Sequence, residues 1–193
     1  LAMVAYGDLD CSVIDELPPG RTPVTTTLID HDRRDAVIKR VGAACRDGRQ
    51  AYWVCTAIEE SDSLHMEAAT ATLETLSAAL PDVTIGLVHG KLKPADKANV
   101  MAQFKAGSLQ LLVATTVVEV GVDVPKASLM IIDNAERLGL AQLHQLRGRV
   151  GRGAIESHCV LLFRPPLSMT AQERLKVMQD THDGFVIAEA DLR

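Results

Sequence analysis

Arginine and glycine alternate in one short stretch of the chain, QLHQLRGRVGRG at residues 142–153. Its arginines are Arg147, Arg149 and Arg152, and each has a glycine beside it. Guanidinium groups grip phosphate oxygens with paired hydrogen bonds and keep their charge at cellular pH. The stretch therefore indicates contact with a phosphate-bearing partner. A solvated charged face is the alternative interpretation, which the neighbouring glycines disfavour because they leave the guanidinium groups unshielded.

Helical geometry divides these arginines into two groups. At about 100° per residue, an apolar stripe forms along one side of a helix over this stretch: Leu143, Leu146 and Val150. Gln145, Arg149 and Arg152 share the opposite face, since they are spaced i, i+4 and i+7. Arg147 lies on the flank of the apolar stripe. We therefore expect Gln145, Arg149 and Arg152 to meet the phosphate, and Arg147 to make a structural ion pair or extend its stem along the core.

A second candidate site is ATTVVEVGVDVP at residues 114–125. Thr115 and Thr116 stand where a buried strand is predicted to end, and Gly121 and Asp123 follow. Hydroxyl groups and free backbone N–H groups at such a position can hold phosphate, and a carboxylate can accept a hydrogen bond from a ribose hydroxyl. A plain turn with an Asx interaction at Asp123 is an equal alternative.

A third candidate site begins at the end of another predicted strand, in VHGKLKPADKANVMAQFKAG at residues 88–107. His89 is followed by lysines on the outward face of a helix: Lys91, Lys93 and Lys97. His89 has no metal-ligating partner in range. It and the lysines suit a nucleic-acid backbone, and a solvated lysine face is the alternative.

One phosphate-binding motif is missing from the sequence. No GxxxxGK[ST] pattern occurs, because the Gly90–Lys91 pair is followed by Leu92 and lacks the upstream glycine. The chain therefore has no P-loop of its own with which to cradle a nucleoside triphosphate. The glycines of GRVGRG also run in the wrong order for a dinucleotide-binding fingerprint.

The elements that must position these residues alternate along the chain. Apolar, β-branched runs predict six strands, at about 24–30, 51–56, 84–89, 109–115, 128–133 and 157–163. Helices are predicted between them, at about 32–47, 63–80, 94–106 and 137–150, with a helix near 168–180 and a second short helix after it. Such alternation favours an α/β fold with a parallel sheet, whose working residues gather where the strands end.

Composition agrees with that fold and excludes some functions. Of the 193 residues, 47% are hydrophobic but only 3% are aromatic, so aliphatic side chains fill the core. The net charge of −5 gives no global attraction for nucleic acid, so any polyanion site must be local. No transmembrane or signal segment is visible, and we expect a cytoplasmic protein cut from a longer polypeptide. Four cysteines without metal-site spacing are expected to be free and buried: Cys11, Cys45, Cys55 and Cys159.

Together these motifs resemble the second RecA-like motor domain of superfamily 2 helicases. ATTVVEVGVDVP is similar to helicase motif V and QLRGRVGR to motif VI. The phrases LAMVAYGDLD, DELPPGRTPV, RQAYWVCTAIEES and DGFVIAEADL resemble the RecG family of branch-migration helicases more than its Mfd and PriA relatives. The resemblance covers nearly the whole chain. It implies a RecA-like, P-loop NTPase-like three-layer sandwich with a C-terminal helical hairpin.

The resemblance also implies roles for individual residues. Arg149 and Arg152 match arginine fingers, and Gln145 matches a neighbouring contact to ATP held by the preceding motor domain. Two motif V positions, Gly121 and Asp123, match contacts to the γ-phosphate and the ribose. The remaining matches are to residues that touch the DNA backbone: Thr116, Thr56 and His89.

The same resemblance implies an organisation and a set of partners. Residues 1–23 would end the first motor domain and form a linker, 24–165 would form the helicase C-terminal domain, and 166–193 would begin the helical hairpin. ATP and Mg²⁺ would be bound mainly by the first motor domain, and branched or forked DNA by the whole enzyme, which carries an N-terminal wedge domain. Two alternatives remain: the motor domain of another superfamily 2 helicase, Mfd-like, PriA-like or an RNA helicase, and a stand-alone phosphate-binding interaction module.

Overall fold

A six-stranded sheet forms the centre of the part of the chain that the computed structural model describes, which is residues 24–56, 62–115, 124, 126–151 and 156–180. All of its strand pairs are parallel. The strands are β1 (Val24–Asp30), β2 (Gln50–Cys55), β3 (Ile85–Val88), β4 (Leu111–Thr115), β5 (Ala127–Ile132) and β6 (Ser157–Phe163). The six predicted strands are thus confirmed, with small shifts at their ends.

Helices follow the strands as the alternating pattern predicts. They are α1 (Arg34–Arg46), α2 (Asp62–Ala79), α3 (Pro94–Ala106), α4 (Leu140–Arg147) and α5 (Met169–Asp180). Short 3-10 turns at His31–Arg33 and Ala135–Arg137 precede α1 and α4. The predicted helix over 137–150 is therefore too long at both ends. The second short helix expected after α5 lies outside the described residues, and so does the linker expected within residues 1–23.

Glycines explain why α4 is short. Gly139 precedes it in an extended conformation with φ −74° and ψ 162°, and Gly148 caps its end. Gly151, with φ +80°, then adopts a left-handed conformation that a helix cannot contain. Because glycine disfavours helix by about 1 kcal/mol relative to alanine, two glycines in four residues end α4 early.

The sheet lies between two helical layers. Its strand order is β1-β6-β5-β2-β4-β3. With right-handed crossovers, α1 and α2 cover one face of the sheet, and α3, α4 and α5 cover the other. Successive strand residues alternate between the faces: Tyr52 packs edge-on against Phe104 of α3, with ring centroids 5.0 Å apart, whereas Trp53 packs in the opposite core. The predicted three-layer α/β fold is confirmed.

The described cysteines lie in this core. Cys45, Cys55 and Cys159 are buried free thiols, as expected, and Cys11 lies outside the described residues. Burial raises the pKa of Cys45 to about 11 and that of Cys55 and Cys159 to about 12. These thiols stay protonated and inert at neutral pH. No helix in the described ranges is both long and apolar enough to span a membrane.

The end of α3 depends on a glycine with a positive φ. Gly107 has φ +87°, and its backbone N–H and that of Ser108 bond back to carbonyls of the last helical turn. This arrangement satisfies carbonyl groups that would otherwise lack a partner and turns the chain toward β4. A Cβ atom at Gly107 would meet nothing within 4 Å, so the requirement for glycine is conformational and not steric packing.

We therefore expect Gly107→Ala to lower the free energy of unfolding by about 1 to 2 kcal/mol, the cost of a left-handed alanine. Urea titration followed by circular dichroism measures this loss. The neighbouring exposed substitution Ser108→Ala is the matched control and should change stability by less than about 0.5 kcal/mol. Equal stability of Gly107→Ala and the wild type would contradict the assignment.

Candidate functional site

Polar side chains from distant parts of the sequence meet at the carboxyl edge of the sheet. We call this group the edge cluster, and its members are His31, Arg34, Thr56, Asp133, Asn134 and Arg164. They follow the ends of β1, β2, β5 and β6. A cavity of about 220 Å³ opens beside the cluster and is walled on its other side by α2 residues such as Ala71 and Thr75. This is the edge at which parallel α/β sheets bind ligands.

A buried ion pair lies at the base of the edge cluster. Asp133 is only 6% exposed, and its Oδ2 atom accepts from Nη2 of Arg34 at 3.2 Å. The same Nη2 group is 3.3 Å from the Thr72 hydroxyl, and the Arg34 guanidinium lies 5.4 Å from the Trp53 ring centroid. The charges of Arg34 and Asp133 thus largely compensate each other. The second carboxylate oxygen, Oδ1, lies 3.8 Å from Nε2 of His31 and has no hydrogen-bond partner.

Asn134 connects three strand ends. It has φ +52°, a left-handed conformation that asparagine tolerates better than most residues. Its Nδ2 group donates to the carbonyl of Thr56 at 3.1 Å, and its Oδ1 atom accepts from Nε of Arg164 at 3.0 Å. The end of β5 is thereby tied to the ends of β2 and β6. Sequence reasoning missed Asn134, Asp133 and Arg164, although Asp133 ends a predicted strand and the other two directly follow one.

Two of the residues predicted to touch DNA follow the ends of β2 and β3, which β4 separates. Thr56 is buried after β2, and its hydroxyl donates to the Asp133 carbonyl at 3.0 Å. His89 is partly exposed after β3, and its Nδ1 atom accepts from the backbone N–H of Lys91 at 3.2 Å. Thr116 lies outside the described residues. The hydroxyl of Thr56 is therefore engaged within the protein, which sequence reasoning did not foresee.

The residues predicted to meet a nucleotide are only partly described. Gln145 is exposed on α4, whereas Arg149 lies beyond the end of that helix, in a turn where its backbone N–H donates to Leu146 at 3.0 Å. The remaining residues of this prediction lie outside the described ranges: Gly121, Asp123 and Arg152. The prediction that Gln145, Arg149 and Arg152 share one face of a continuous helix is wrong, because α4 ends at Arg147, before Gly148 and Gly151. The roles of these residues stay predictions.

Arg147 differs from the other arginines of its stretch, as the helical wheel predicted. It is only 3% exposed, and its Nη1 group donates to the carbonyl of Met178 at 2.7 Å and lies 3.3 Å from the Thr26 hydroxyl. These neutral acceptors replace the structural ion pair that the sequence suggested. Burial lowers the pKa of Arg147 from its ordinary value. The side chain joins α4 to β1 and to the last turn of α5.

We expect Arg147→Ala to lower the free energy of unfolding by about 2 to 3 kcal/mol. The change removes charged hydrogen bonds and leaves the Met178 carbonyl, near the end of a helix, without its partner. Urea titration measures the loss, and the exposed neighbour Gln145→Ala provides the control, with a change below about 0.5 kcal/mol. A similarly small effect for both substitutions would show that Arg147 does not join these elements.

The family model for the helicase conserved C-terminal domain matches residues 32–154 of the chain. This range contains β2 to β5, the strand-end residues Thr56, His89 and Asp133, and the whole of α4. The chain belongs to this helicase C-terminal domain family. In this helicase domain the turn after α4 and four residues of the edge cluster lie within the matched range, and His31 and Arg164 lie outside it.

Characterised relatives match the helicase domain along its whole length. It is 69% identical over 193 residues to the ATP-dependent DNA helicase RecG of Escherichia coli strain K12. Identity is 63% to the RecG of Pasteurella multocida and 47% to that of Bacillus subtilis, again over the whole of this chain. The domain spans about 28% of the length of each of these three relatives.

Solved structures confirm the fold. A structure of RecG bound to a three-way DNA junction aligns with 99% of this chain and 25% of its own, with a TM-score of 0.78 and 43% identity. Domain 2 of the Mss116p DEAD-box helicase, bound to an RNA duplex, aligns with 83% of this chain and 62% of its own, with a TM-score of 0.65 and 17% identity. The second likeness concerns the fold alone.

Proposed function

We propose that this domain is the second motor domain of an ATP-dependent DNA helicase that remodels branched DNA during recombination and repair. The observation that carries the proposal is the 69% identity to a RecG helicase across every part of the chain. The 43% identical structure, which is bound to a three-way DNA junction, supports branched DNA as the substrate. On this proposal the protein acts in the bacterial cytoplasm, on nucleoid DNA.

Arginine and amide donors support the nucleotide half of the proposal. Gln145 is exposed on α4, and Arg149 follows in the turn that the buried Arg147 anchors. Amide and guanidinium N–H groups suit phosphate oxygens, so Gln145, Arg149 and Arg152 fit a role toward the phosphates of ATP. In this role Arg149 and Arg152 stabilise the negative charge that spreads over the transferred phosphoryl group. Gly121 and Asp123 are proposed to lie near the γ-phosphate and ribose.

The chain does not supply the rest of a nucleotide site. Because its sequence lacks a P-loop, a first motor domain of the same polypeptide is proposed to hold the triphosphate and Mg²⁺. Bound ATP and Mg²⁺ would supply the phosphoryl group and neutralise its charge. Arginines contributed by a second domain make hydrolysis depend on closure of the two domains. Alternating closure and opening then moves the domain along DNA.

The order of strands in the sheet supports the DNA half of the proposal. Strands β2, β4 and β3 are adjacent, and their carboxyl ends are followed by Thr56, Thr116 and His89. The proposed DNA contacts thus follow neighbouring strands along one edge, at the spacing of a strand pair, about 4.8 Å. The Thr56 hydroxyl donates to the Asp133 carbonyl, and its contact to phosphate stays a prediction. Branch selection is assigned to the wedge domain of the same polypeptide.

We expect the 193-residue chain alone to show no DNA-stimulated ATP hydrolysis. A coupled phosphate-release assay with forked DNA measures the rate, and the same assay on a polypeptide that also carries the first motor domain is the positive control. Hydrolysis by the chain alone would contradict the proposal that the first motor domain holds the triphosphate.

Comparing unwinding of forked DNA with that of RNA duplexes by the longer polypeptide separates a DNA helicase from an RNA helicase.

In that longer polypeptide, we expect Arg149→Ala or Arg152→Ala to reduce ATP hydrolysis by about 10³-fold or more while ATP binding is nearly unchanged. Loss of a transition-state contact lowers the rate without weakening binding of the substrate to the same extent. Single-turnover hydrolysis and fluorescent-nucleotide binding measure the two quantities.

Arg147→Ala is the matched control for these substitutions, because it removes the same charge from a neighbouring position that faces the core. Its main effect should be a lower thermal stability or weaker coupling to DNA, with a much smaller loss of hydrolysis than in the other two variants. Equal loss of hydrolysis in all three variants, with normal folding, would contradict the assignment of Arg149 and Arg152 as the arginine fingers.

A further inference from the structure

Two side chains that carry no negative charge, Asn134 and His31, hold Arg164 in place. It follows β6, and its Nε group donates to Oδ1 of Asn134 at 3.0 Å. Its Nη2 group lies 2.9 Å from Nε2 of His31, which accepts the bond when the imidazole is neutral and carries its proton on Nδ1. The backbone N–H of Arg164 donates to Oε1 of Glu136 at 3.3 Å. Neither anchor of the guanidinium group is therefore a carboxylate.

The guanidinium group of Arg164 is not paired with a carboxylate of the described residues, and the nearby Glu136 carboxylate accepts from the backbone N–H instead. Within the described ranges, no carboxylate forms an ion pair with its guanidinium group, although the residue is exposed. Its Nη1 group makes no hydrogen bond there, so three of the five guanidinium N–H groups are not used by the anchors. An exposed arginine normally loses side-chain entropy when it binds a ligand. Because Asn134 and His31 already restrict the Arg164 side chain, less of its conformational entropy remains to be lost on binding.

Other arginines of the domain are used differently. Arg46 makes a two-pronged ion pair with Asp82, with N···O distances of 2.6 and 3.0 Å, and Arg34 is paired with the buried Asp133. Arg147 is buried, and Arg174 donates to the carbonyl of Glu136. These four guanidinium groups are occupied by structural contacts. Arg164 instead has a fixed position and N–H groups that its anchors do not use. No carboxylate of the described residues is ion-paired to its guanidinium group.

The sheet places Arg164 in line with the proposed DNA contacts. Since β6 is separated from β2 only by β5, Arg164 lies two strands from Thr56, roughly 10 Å along the edge. His89 lies two strands from Thr56 in the other direction. Asn134 physically bridges the two ends, because it bonds both the Thr56 carbonyl and the Arg164 guanidinium. Arg164 therefore extends the row of strand-end residues from β3 to β6.

We propose that Arg164, held by Asn134 and His31, binds a phosphate of the nucleic-acid strand that crosses the carboxyl edge of the sheet. The inference rests on the proposed function and adds a contact to it. A guanidinium group with free N–H donors and no opposing carboxylate is suited to a phosphate oxygen. Since a backbone contact reads no base, Arg164 contributes to affinity and register on any sequence.

The test is the salt dependence of DNA binding by the 193-residue chain, measured by fluorescence anisotropy with a labelled single-stranded oligothymidylate. Each phosphate contact contributes about 0.7 to the slope of log affinity against log salt for a single strand. Arg164→Gln should therefore lower the magnitude of the slope by about 0.7 and weaken binding by about 5- to 10-fold at low salt. Arg164→Lys should keep the slope, because the charge remains, but weaken binding, because lysine cannot make both anchoring bonds.

Arg40→Gln is the matched control. Arg40 is exposed on α1, away from the strand ends, so its loss changes the net charge equally but should leave the slope as in the wild type. Circular dichroism confirms that each variant is folded. A slope for Arg164→Gln equal to that of the wild type, when the wild type binds, overturns the Arg164 contact alone. Failure of the wild-type chain to bind DNA at any salt concentration overturns both this contact and the proposed DNA contacts of the domain.

Discussion

Parallel pairing of all six strands is the constraint on which the rest of the domain depends. It brings every strand's carboxyl end to one edge, so residues far apart in sequence become neighbours there. His31 and Arg164 are separated by 133 positions and still lie within hydrogen-bond distance. The crossovers that parallel pairing requires carry the helices to both faces of the sheet. Core and candidate site are thus consequences of one arrangement.

Burial of Arg147 joins this core to the candidate nucleotide contacts. A buried guanidinium group is costly unless its N–H groups find acceptors, and here the carbonyl of Met178, near the end of α5, is one of them. The contact fixes the last turn of α4, from which Gly148 leads directly to Arg149. The arginine-rich stretch therefore contains one structural residue that positions the turn carrying another. Its glycines stop the helix at that point.

The edge cluster contains two arginines whose charges are used differently: Arg34 is ion-paired with Asp133, and Arg164 is not ion-paired with a carboxylate of the described residues. The buried Asp133 compensates the partly exposed Arg34, in a pair that solvent screens less than a surface pair. Arg164 is fixed by Asn134 and His31, which carry no opposing charge. The edge therefore keeps a local positive charge in a protein whose net charge is −5. A local field of this kind can attract a polyanion that the whole molecule would repel.

The sequence by itself determined the six strands, the parallel α/β class and the inward turn of Arg147, because each follows from the local spacing of apolar residues. It did not determine where α4 ends, since a helical wheel assumes the helix continues and two glycines stop it. Only the tertiary structure decided that Asn134 links Thr56 to Arg164, and that the Thr56 hydroxyl is engaged within the protein. Those contacts join separate strands, and strand order is set by packing of the whole chain, which local patterns do not encode.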